Sequence, residues 1–256
     1  MNLNLSSSLA DKYNSNSQKI RVLTESWVHK YIYCPSCGNA LSEYENNKPV
    51  ADFHCSKCSE DYELKSKQGT MGKKIVDGAY GAMITRLQSD SNPNFFFLNY
   101  DKTTLDIINF MVIAKHFFTP EMIEKRKPLS PTARRAGWIG CNILLDVVPD
   151  GGKIFYIKNG QKESKNKIMN HWQKTSFLKQ STNVKAKGWL LDIMKCIDRL
   201  NKKNFNLLDM YQFEKYLKLK HPENNNIQAK IRQQLQLLRD KEYIHFESRG
   251  RYKLRE

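Results

Sequence analysis

Four of the six cysteines are arranged as two Cys-x-x-Cys pairs. Cys34 and Cys37 form the first pair, Cys55 and Cys58 form the second, and 17 residues separate the pairs. Each pair presents two thiolates from one tight turn, and four thiolates complete a closed tetrahedral site for Zn2+. Because a closed site has no open position for a catalytic water, this spacing predicts a structural zinc ion.

The second cysteine pair lies between two segments that alternate like β-strands. Asp52 precedes the pair, and Glu63 and Lys65 follow it. If the pair forms the turn of a hairpin, the three side chains lie close together. Two adjacent carboxylates can hold Mg2+, which can activate a water, and a lysine beside them can stabilise charge on a phosphate. A solvated strand edge carrying charges is the alternative.

This spacing of a carboxylate and Glu-x-Lys matches the nuclease motif PD-(D/E)xK, with Ala51 in the place of the proline. The predicted catalytic residues are therefore Asp52, Glu63 and Lys65, of which Asp52 and Glu63 would bind magnesium. Glu25 could reach such a site from an N-terminal helix, although a solvated position is the expectation for it.

A Pro- and Gly-containing loop between residues 125 and 142 holds five basic residues and one tryptophan. Arg134 and Arg135 suit phosphates and guanine edges, and Trp138 could pack on a base or a base methyl group. A position in the core is the alternative for Trp138.

The elements that must position these residues indicate an α/β domain spanning residues 1–181. The spacing of apolar residues predicts helices over 17–28 and 75–87 and strands over 94–100, 107–114 and 154–157. Helices and strands in this order predict a mixed sheet with flanking helices. The polar segment 162–188 is predicted to be a linker, with a short helix around Met169 to Leu178.

Residues 182–256 form a second predicted domain, a winged helix. Three helical patterns, at 189–200, 207–217 and 226–240, precede a two-stranded hairpin with a basic tip. In this arrangement the third helix enters the major groove and the wing contacts the DNA backbone. The residues predicted to contact DNA are Asn226, Lys230, Arg232 and Gln233 in the third helix and Arg249 and Arg251 in the wing. A winged helix that binds protein is the alternative.

The charge of the chain is strongly positive. The 42 Lys and Arg residues against 26 Asp and Glu residues give +16, which calls for an anionic partner. Residues 182–256 hold 17 of the basic and 9 of the acidic residues, so half of the excess charge lies in the predicted winged helix. No segment has the roughly 20 apolar residues of a transmembrane helix, and the start has no signal-peptide pattern, so a cytoplasmic protein with no membrane partner is expected.

Several long stretches of the chain resemble the Dpn-type methyl-directed (Type IIM) restriction endonucleases. They include Tyr33-Cys-Pro-Ser-Cys-Gly, Glu45-Asn-Asn-Lys-Pro-Val-Ala-Asp-Phe, Pro131-Thr-Ala-Arg-Arg-Ala-Gly-Trp-Ile-Gly-Cys-Asn and Lys230-Ile-Arg-Gln-Gln-Leu-Gln. The resemblance implies a PD-(D/E)xK nuclease domain with a structural zinc, followed by a winged helix. It further implies blunt cleavage of double-stranded DNA at GATC with N6-methylated adenines. Trp138 would then pack on an adenine methyl group, and the winged helix would read the site a second time.

Two other functions remain compatible with these patterns. A zinc-ribbon and winged-helix transcription regulator would bind DNA without cutting it, and a repair or replication nuclease of the same fold would cut by DNA structure instead of sequence. The expected nuclease would act as a monomer.

Overall fold

A computed structural model describes residues 1–5, 7–44, 51–89, 92–180 and 184–255. The predicted domain boundary between residues 181 and 182 lies outside the described residues, as do residues 45–50 of the stretch before Asp52. The chain divides into two compact units. Met1–Asp146 and Gly152–Trp172 form the first unit, and Val147–Gly151 and Gln173–Glu256 form the second.

The first unit contains a large sheet and a small one. Its helices and strands, in chain order, are α1 (Asn16–Tyr31), β1 (Ser42–Glu43), β2 (Phe53–His54), β3 (Asp61–Gln68), β4 (Lys74–Ala79), α2 (Tyr80–Leu87), β5 (Asn94–Tyr100), β6 (Ile107–Ile113), β7 (Ile123–Lys125), β8 (Gly140–Leu144), β9 (Ile154–Lys158), β10 (Gln161–Lys162) and α3 (Lys165–Thr175). The large sheet has the strand order β1-β2-β3-β5-β6-β9-β10, and the small sheet has the order β4-β8-β7.

The large sheet is mixed, as the sequence predicted. β3 pairs parallel with β5, while the other neighbouring strands of this sheet pair antiparallel. β5 is buried along its whole length, from Asn94 to Tyr100. Its continuous apolar run suits a strand covered on both faces, and this confirms the predicted central strands.

Helix α1 covers the large sheet with the residues that its periodicity predicted. Leu23, Trp27 and Val28 are buried, and the Trp27 ring meets the edge of Phe110 with the ring centroids 5.5 Å apart. The predicted N-terminal helix is therefore confirmed.

The predicted helix over 75–87 is wrong in its first half. Residues 74–79 form strand β4, and only Tyr80–Leu87 is helical. The burial alternates with period two, because Ile75 and the side chain of Asp77 are buried while Val76 is 63% exposed. Gly78 also costs a helix about 1 kcal/mol relative to alanine, and it lies at a bulge where the pairing with β8 shifts register.

The predicted linker over 162–188 is wrong for most of its length, because this segment is largely folded, but the short helix expected around Met169 to Leu178 is present and begins earlier. Helix α3 spans Lys165–Thr175, and a 3-10 turn follows at Ser176–Gln180. Ile168, Trp172 and Thr175 follow at helical spacing and are buried. Lys165, Lys167 and Lys174 of the same helix lowered the average hydropathy of the segment and hid this apolar stripe.

The second unit is a winged helix, as predicted. Its elements are α4 (Val184–Leu200), β11 (Asn204–Asn206), α5 (Leu207–Tyr211), α6 (Glu214–Lys220), α7 (Ile227–Asp240), β12 (Ile244–Ser248) and β13 (Arg251–Leu254). The third helix of the predicted motif, α7, buries Ile227, Ile231, Leu235 and Leu238. β12 and β13 form the wing, and β11 adds a third strand that the sequence pattern did not reveal.

One helix of this unit differs from its prediction. The single helix expected over 207–217 is broken into α5 and α6. The Phe213 amide donates to the Met210 carbonyl over 3.1 Å, which closes a three-residue turn between the two helices.

Among the described residues, no helix combines the length and hydrophobicity that a membrane span requires.

Candidate active site and metal centre

The hairpin around the second cysteine pair brings Asp52 opposite Glu63. Phe53 pairs with Tyr62 and His54 with Asp61, so Asp52 stands beside the next position of β3. The Asp52 amide donates to the Tyr62 carbonyl over 3.0 Å, and the Leu64 amide donates to Asp52 Oδ2 over 2.7 Å. The predicted hairpin is therefore present, and backbone hydrogen bonds fix its register.

Glu63 and Lys65 extend from the same face of β3 into a group of charges. Lys65 Nζ lies 2.5 Å from Glu63 Oε1, and these side chains are 19% and 16% exposed. Lys65 also pairs with Asp77 of β4, whose side chain is 6% exposed. On the other side of Glu63, Arg86 of α2 places Nη2 2.8 Å from Oε2.

Burial raises the pKa of Asp52, the hydrogen bond from Leu64 lowers it, and the charge of Glu63 raises it again. Two carboxylates thus share a poorly solvated position. Burial alone would lower the pKa of Lys65, but the charges of Glu63 and Asp77 raise it above its usual value. Lys65 is therefore an ammonium group at neutral pH, a donor and a positive charge with no capacity to accept a proton.

Glu25 lies closer to this site than the sequence indicated. Its side chain is 21% exposed and accepts a 2.7 Å hydrogen bond from Arg21 Nε. Burial raises the pKa of Glu25, the pairing with Arg21 lowers it, and the charge of Asp52 raises it. The expected solvated position is wrong, because α1 packs against the sheet and turns this part of its surface towards Asp52.

The structure brings the four predicted zinc ligands into one cluster. The Sγ atoms of Cys34, Cys37, Cys55 and Cys58 all lie within 4.8 Å of one another, and the described residues contain no other group of three or more His, Cys, Asp or Glu side chains this close. The closest approaches, Cys34 to Cys58 and Cys37 to Cys55, are 3.4 Å. Tetrahedral ligands about 2.3 Å from a zinc ion stand at nearly this separation. The cluster can therefore hold a zinc ion.

Tyr62 connects the cysteine cluster to the carboxylates. Its hydroxyl lies 3.1 Å from Cys34 Sγ, and its ring stacks on Phe96 at a centroid distance of 4.6 Å. Because Tyr62 immediately precedes Glu63 on β3, the cluster and the core fix the part of the strand that carries the carboxylate.

The predicted DNA-contacting residues of the first unit lie in the loop between β7 and β8. Arg134 and Arg135 are exposed, and the Arg135 guanidinium lies over the Trp138 ring, 4.6 Å from its centroid. Trp138 is partly exposed and packs on the backbone of Gly140.

The residues predicted in the winged helix form two groups. Asn226, Arg232 and Gln233 are exposed at the start and along the outer face of α7, and Lys230 is partly exposed. Three side chains of this face already make hydrogen bonds. Lys230 Nζ donates to Gln233 Oε1 over 2.7 Å, and Arg232 Nη1 donates to the Tyr211 hydroxyl over 2.6 Å. Arg249 and Arg251 are exposed at and beside the turn of the wing.

Comparison with protein-family models gives two matches. The DpnI model, described as the Dam-replacing family, matches residues 1–181, and the DpnI_C model, described as the Dam-replacing HTH domain, matches residues 185–254. The chain belongs to the DpnI family. This confirms the resemblance seen in the sequence, and membership of the DpnI family makes the protein a DNA-binding, methyl-dependent restriction endonuclease.

Sequence reasoning missed two charged residues at the site of this DpnI-family chain. Asp77 falls in the segment that was predicted to be helical, and Arg86 belongs to the short helix that follows it. The alternation of Ile75, Val76 and Asp77 is the signal that could have revealed a strand with an inward carboxylate. Nothing in the spacing of Arg86 marks it as a neighbour of Glu63.

Proposed function

We propose that the protein is a Type II (IIM) endonuclease that cuts double-stranded DNA at GATC sites carrying N6-methyladenine, with Mg2+ as the catalytic metal and blunt ends as the product. The observation that supports the proposal most strongly is the assembly of Asp52, Glu63 and Lys65 at one hairpin. A DNA-binding protein without catalysis has no use for two carboxylates and a lysine arranged in this way.

The chemistry of the donors fits magnesium. Asp52 and Glu63 offer hard carboxylate oxygens, and burial together with the negative charge of Glu63 raises the pKa of Asp52. A divalent cation held by Asp52 and Glu63 would offset the repulsion between the two carboxylates. When bound, Mg2+ would activate a water and neutralise charge on the scissile phosphate.

The protein's own residues would then act as follows. Asp52 and Glu63 would bind the metal ion, and the hydrogen bonds of the hairpin keep the two carboxylates at a fixed separation. The Lys65 ammonium group donates to the attacking water or to a phosphate oxygen as negative charge develops. The attacking water oxygen forms a bond to phosphorus and its proton is released to solvent. The bond between phosphorus and the leaving sugar oxygen breaks, and that oxygen takes up a proton from solvent.

Both units would read the methylated site. Trp138, flanked by Arg134 and Arg135, would pack on an adenine methyl group, and α7 would present Asn226, Lys230, Arg232 and Gln233 to the major groove. Arg249 and Arg251 would contact phosphates. Burial of one methyl group contributes about 0.8 kcal/mol, which is only a few-fold in affinity, so two readings multiply a weak discrimination. A zinc ion in the cysteine cluster, a monomeric state and a cytoplasmic location belong to the same proposal.

The decisive experiment is digestion of methylated and unmethylated plasmid with the purified protein in Mg2+ or EDTA. We expect blunt cuts at GATC in methylated DNA with Mg2+ only. Asp52→Ala should bind methylated duplex with unchanged affinity and cut none of it. Binding without cutting by the wild-type protein would favour the transcription regulator, and cutting that ignores sequence would favour a repair nuclease.

A further inference from the structure

Five charged side chains form a continuous group at the candidate active site, and two of them have no role in the proposed reaction so far. Lys65 contacts Glu63 and Asp77, and Arg86 contacts the second oxygen of Glu63. Together with Asp52, this group contains three carboxylates and two cations. Its net charge is one negative before a metal binds.

Asp77 is built into this group by the small sheet. β4 pairs antiparallel with β8, and the register shift between Asp77 and Ala79 marks a bulge directly beside Asp77. Bulges re-aim side chains and occur often next to active sites. With its side chain only 6% exposed, Asp77 is a buried carboxylate directed at the half-buried Lys65 on a strand of the other sheet.

Glu63 is not free to bind a metal, since each of its two carboxylate oxygens already pairs with a cation. Lys65 lies against Oε1 and Arg86 against Oε2. Any metal that uses Glu63 as a ligand must compete with these two charges. Asp77 provides a second carboxylate for Lys65, so that Lys65 keeps a partner and its place when Glu63 turns to a metal.

We propose that Asp77 is a positioning residue that anchors Lys65 beside the scissile phosphate and relieves its hold on Glu63, and that Arg86 is the cation that Mg2+ displaces from Glu63. The inference rests on the proposed roles of Glu63 as a metal ligand and Lys65 as the third catalytic residue. It predicts opposite effects for the two neighbours. Loss of the Asp77 charge weakens metal binding, and loss of the Arg86 charge strengthens it.

The first test measures metal binding without DNA and without turnover. The melting temperature of the full chain is followed against Mg2+ concentration for wild type, Asp77→Asn, Arg86→Gln and the control Asp11→Asn, which removes an exposed carboxylate far along the sequence from the site. The Mg2+ midpoint is the Mg2+ concentration that gives half of the maximal rise in melting temperature. We expect this midpoint to rise at least threefold in Asp77→Asn, to fall at least threefold in Arg86→Gln and to stay within experimental error of the wild-type value in Asp11→Asn. Shifts of Asp77→Asn and Arg86→Gln in the same direction, or no shift in either, would overturn the proposal.

The second test asks whether Asp77 acts through Lys65 or binds the metal itself. In a protein that already carries Lys65→Met, Asp77→Asn should move the Mg2+ midpoint by less than half as much as it does in the wild-type protein. The reason is that the Lys65 side chain, which Asp77 restrains, is then absent. An undiminished effect would make Asp77 a metal ligand and would refute the positioning role. If Asp77→Asn does not fold, Asp77→Ser, which also removes the charge, replaces it in both tests with the same expected results. Asp77→Glu, which keeps the charge, should stay within twofold of the wild-type midpoint.

Single-turnover cleavage of methylated duplex at saturating Mg2+ provides the catalytic readout. We expect Asp77→Asn to be at least tenfold slower than wild type, with unchanged DNA affinity, and Asp77→Glu to recover part of the rate. A wild-type protein that cuts no DNA would refute the proposed function but leave the two Mg2+ tests intact, so the two failures are distinguishable.

Discussion

Asp52 occupies a position that is unfavourable for a carboxylate unless a cation is close. It is half-buried next to Glu63, and the pKa of Asp52 is raised by its loss of solvent contact first and by that neighbouring charge as well. Structural stability gains nothing from two carboxylates in such a place. This loss of stability is consistent with a role in binding a cation, since functional sites often keep destabilising groups.

Replacing this charge should therefore separate stability from activity. We expect Asp52→Asn to lose cleavage and, without divalent cations at neutral pH, to melt about 2–4 °C above wild type, which corresponds to about 1 kcal/mol. Asparagine keeps an oxygen that can accept the hydrogen bond from Leu64. Calorimetry in EDTA measures the difference, and a lower melting temperature than wild type would contradict this account.

Trp138 is the residue on which methyl discrimination is proposed to depend in the first unit. We expect Trp138→Ala to fold but to lose its preference for methylated DNA or its activity. Gly140→Ala should act in the same direction without removing the indole, because a Cβ atom there would lie 2.8 Å from Trp138 Cη2 and Cζ3 and must displace the ring. The ratio of cleavage rates on methylated and unmethylated duplex is the measurement. Wild-type ratios in both variants would refute the role of Trp138.

At the scale of elements, one strand connects the cysteine cluster to the carboxylates. β3 begins at Asp61, next to the second cysteine pair, and its Tyr62 hydroxyl meets Cys34 while Glu63 faces Arg86 and Lys65. A metal in the cluster would thus restrain the strand that carries the active site. The zinc ion would take no part in the reaction itself.

Removal of one ligand tests this connection. We expect Cys58→Ser to bind less than one zinc ion per chain, to melt at least several degrees lower and to cut methylated DNA slowly even in excess Mg2+. Atomic absorption, calorimetry and cleavage measure the three effects. Cys141→Ser, at a buried cysteine outside the cluster, is the matched control and should keep its zinc. Full activity in zinc-free Cys58→Ser would contradict the connection.

In the winged helix, a capping box determines where α5 begins. The Asn206 amide donates to Asp209 Oδ2 over 2.8 Å, and the Asp209 amide donates to Asn206 Oδ1 over 2.9 Å. The first of these bonds lowers the pKa of Asp209 below its usual 3.8, and Lys202 lowers it further. A carboxylate whose pKa is lowered by folding stabilises the fold above its usual pKa, and this contribution disappears as the pH falls through the lowered value.

Asp209→Ala should therefore cost about 1 kcal/mol of unfolding free energy at neutral pH. The difference from wild type should shrink when the pH falls below about 3.8. Urea unfolding at a series of pH values measures it, and Asp209→Asn, which keeps an acceptor oxygen, should lose less. A difference that persists unchanged in acid would show that the ionised carboxylate is not responsible.

Elements with a strong apolar period could be predicted from the sequence, and elements defined by pairing with distant strands could not. α1, β5, β6 and α7 carry continuous or helical apolar patterns, and they form where those patterns indicated. β4 contains glycine and charge, and it is a strand because β8 supplies its partner from more than 60 positions further along the chain. The proposed catalytic trio could be selected from the sequence because it sits on one local hairpin, whereas Asp77 and Arg86 reach Lys65 and Glu63 only through tertiary structure.

At the scale of the whole molecule, the positive charge is shared by two units that each present basic residues to solvent. Arg134 and Arg135 are exposed in the first unit, and Arg249 and Arg251 are exposed in the second. If both groups contact phosphates in the same complex, each should contribute its own share to the salt dependence of DNA binding. Each phosphate contact made by a basic side chain adds about 0.9 to the slope of log K against log salt concentration.

Charge-neutralising variants test whether the two units bind one DNA molecule together. We expect Arg249→Gln with Arg251→Gln to reduce the slope by about 1.8, Arg134→Gln with Arg135→Gln to reduce it by a similar amount, and the quadruple variant to lose the sum. Lys102→Gln, at an exposed lysine in the turn between β5 and β6, is the control and should leave the slope unchanged. Fluorescence anisotropy with a methylated GATC duplex in EDTA, at several salt concentrations, gives the slopes. If the quadruple variant has the same slope as either double variant, only one unit engages a given duplex. The reason is that contacts made in separate complexes do not add in the slope.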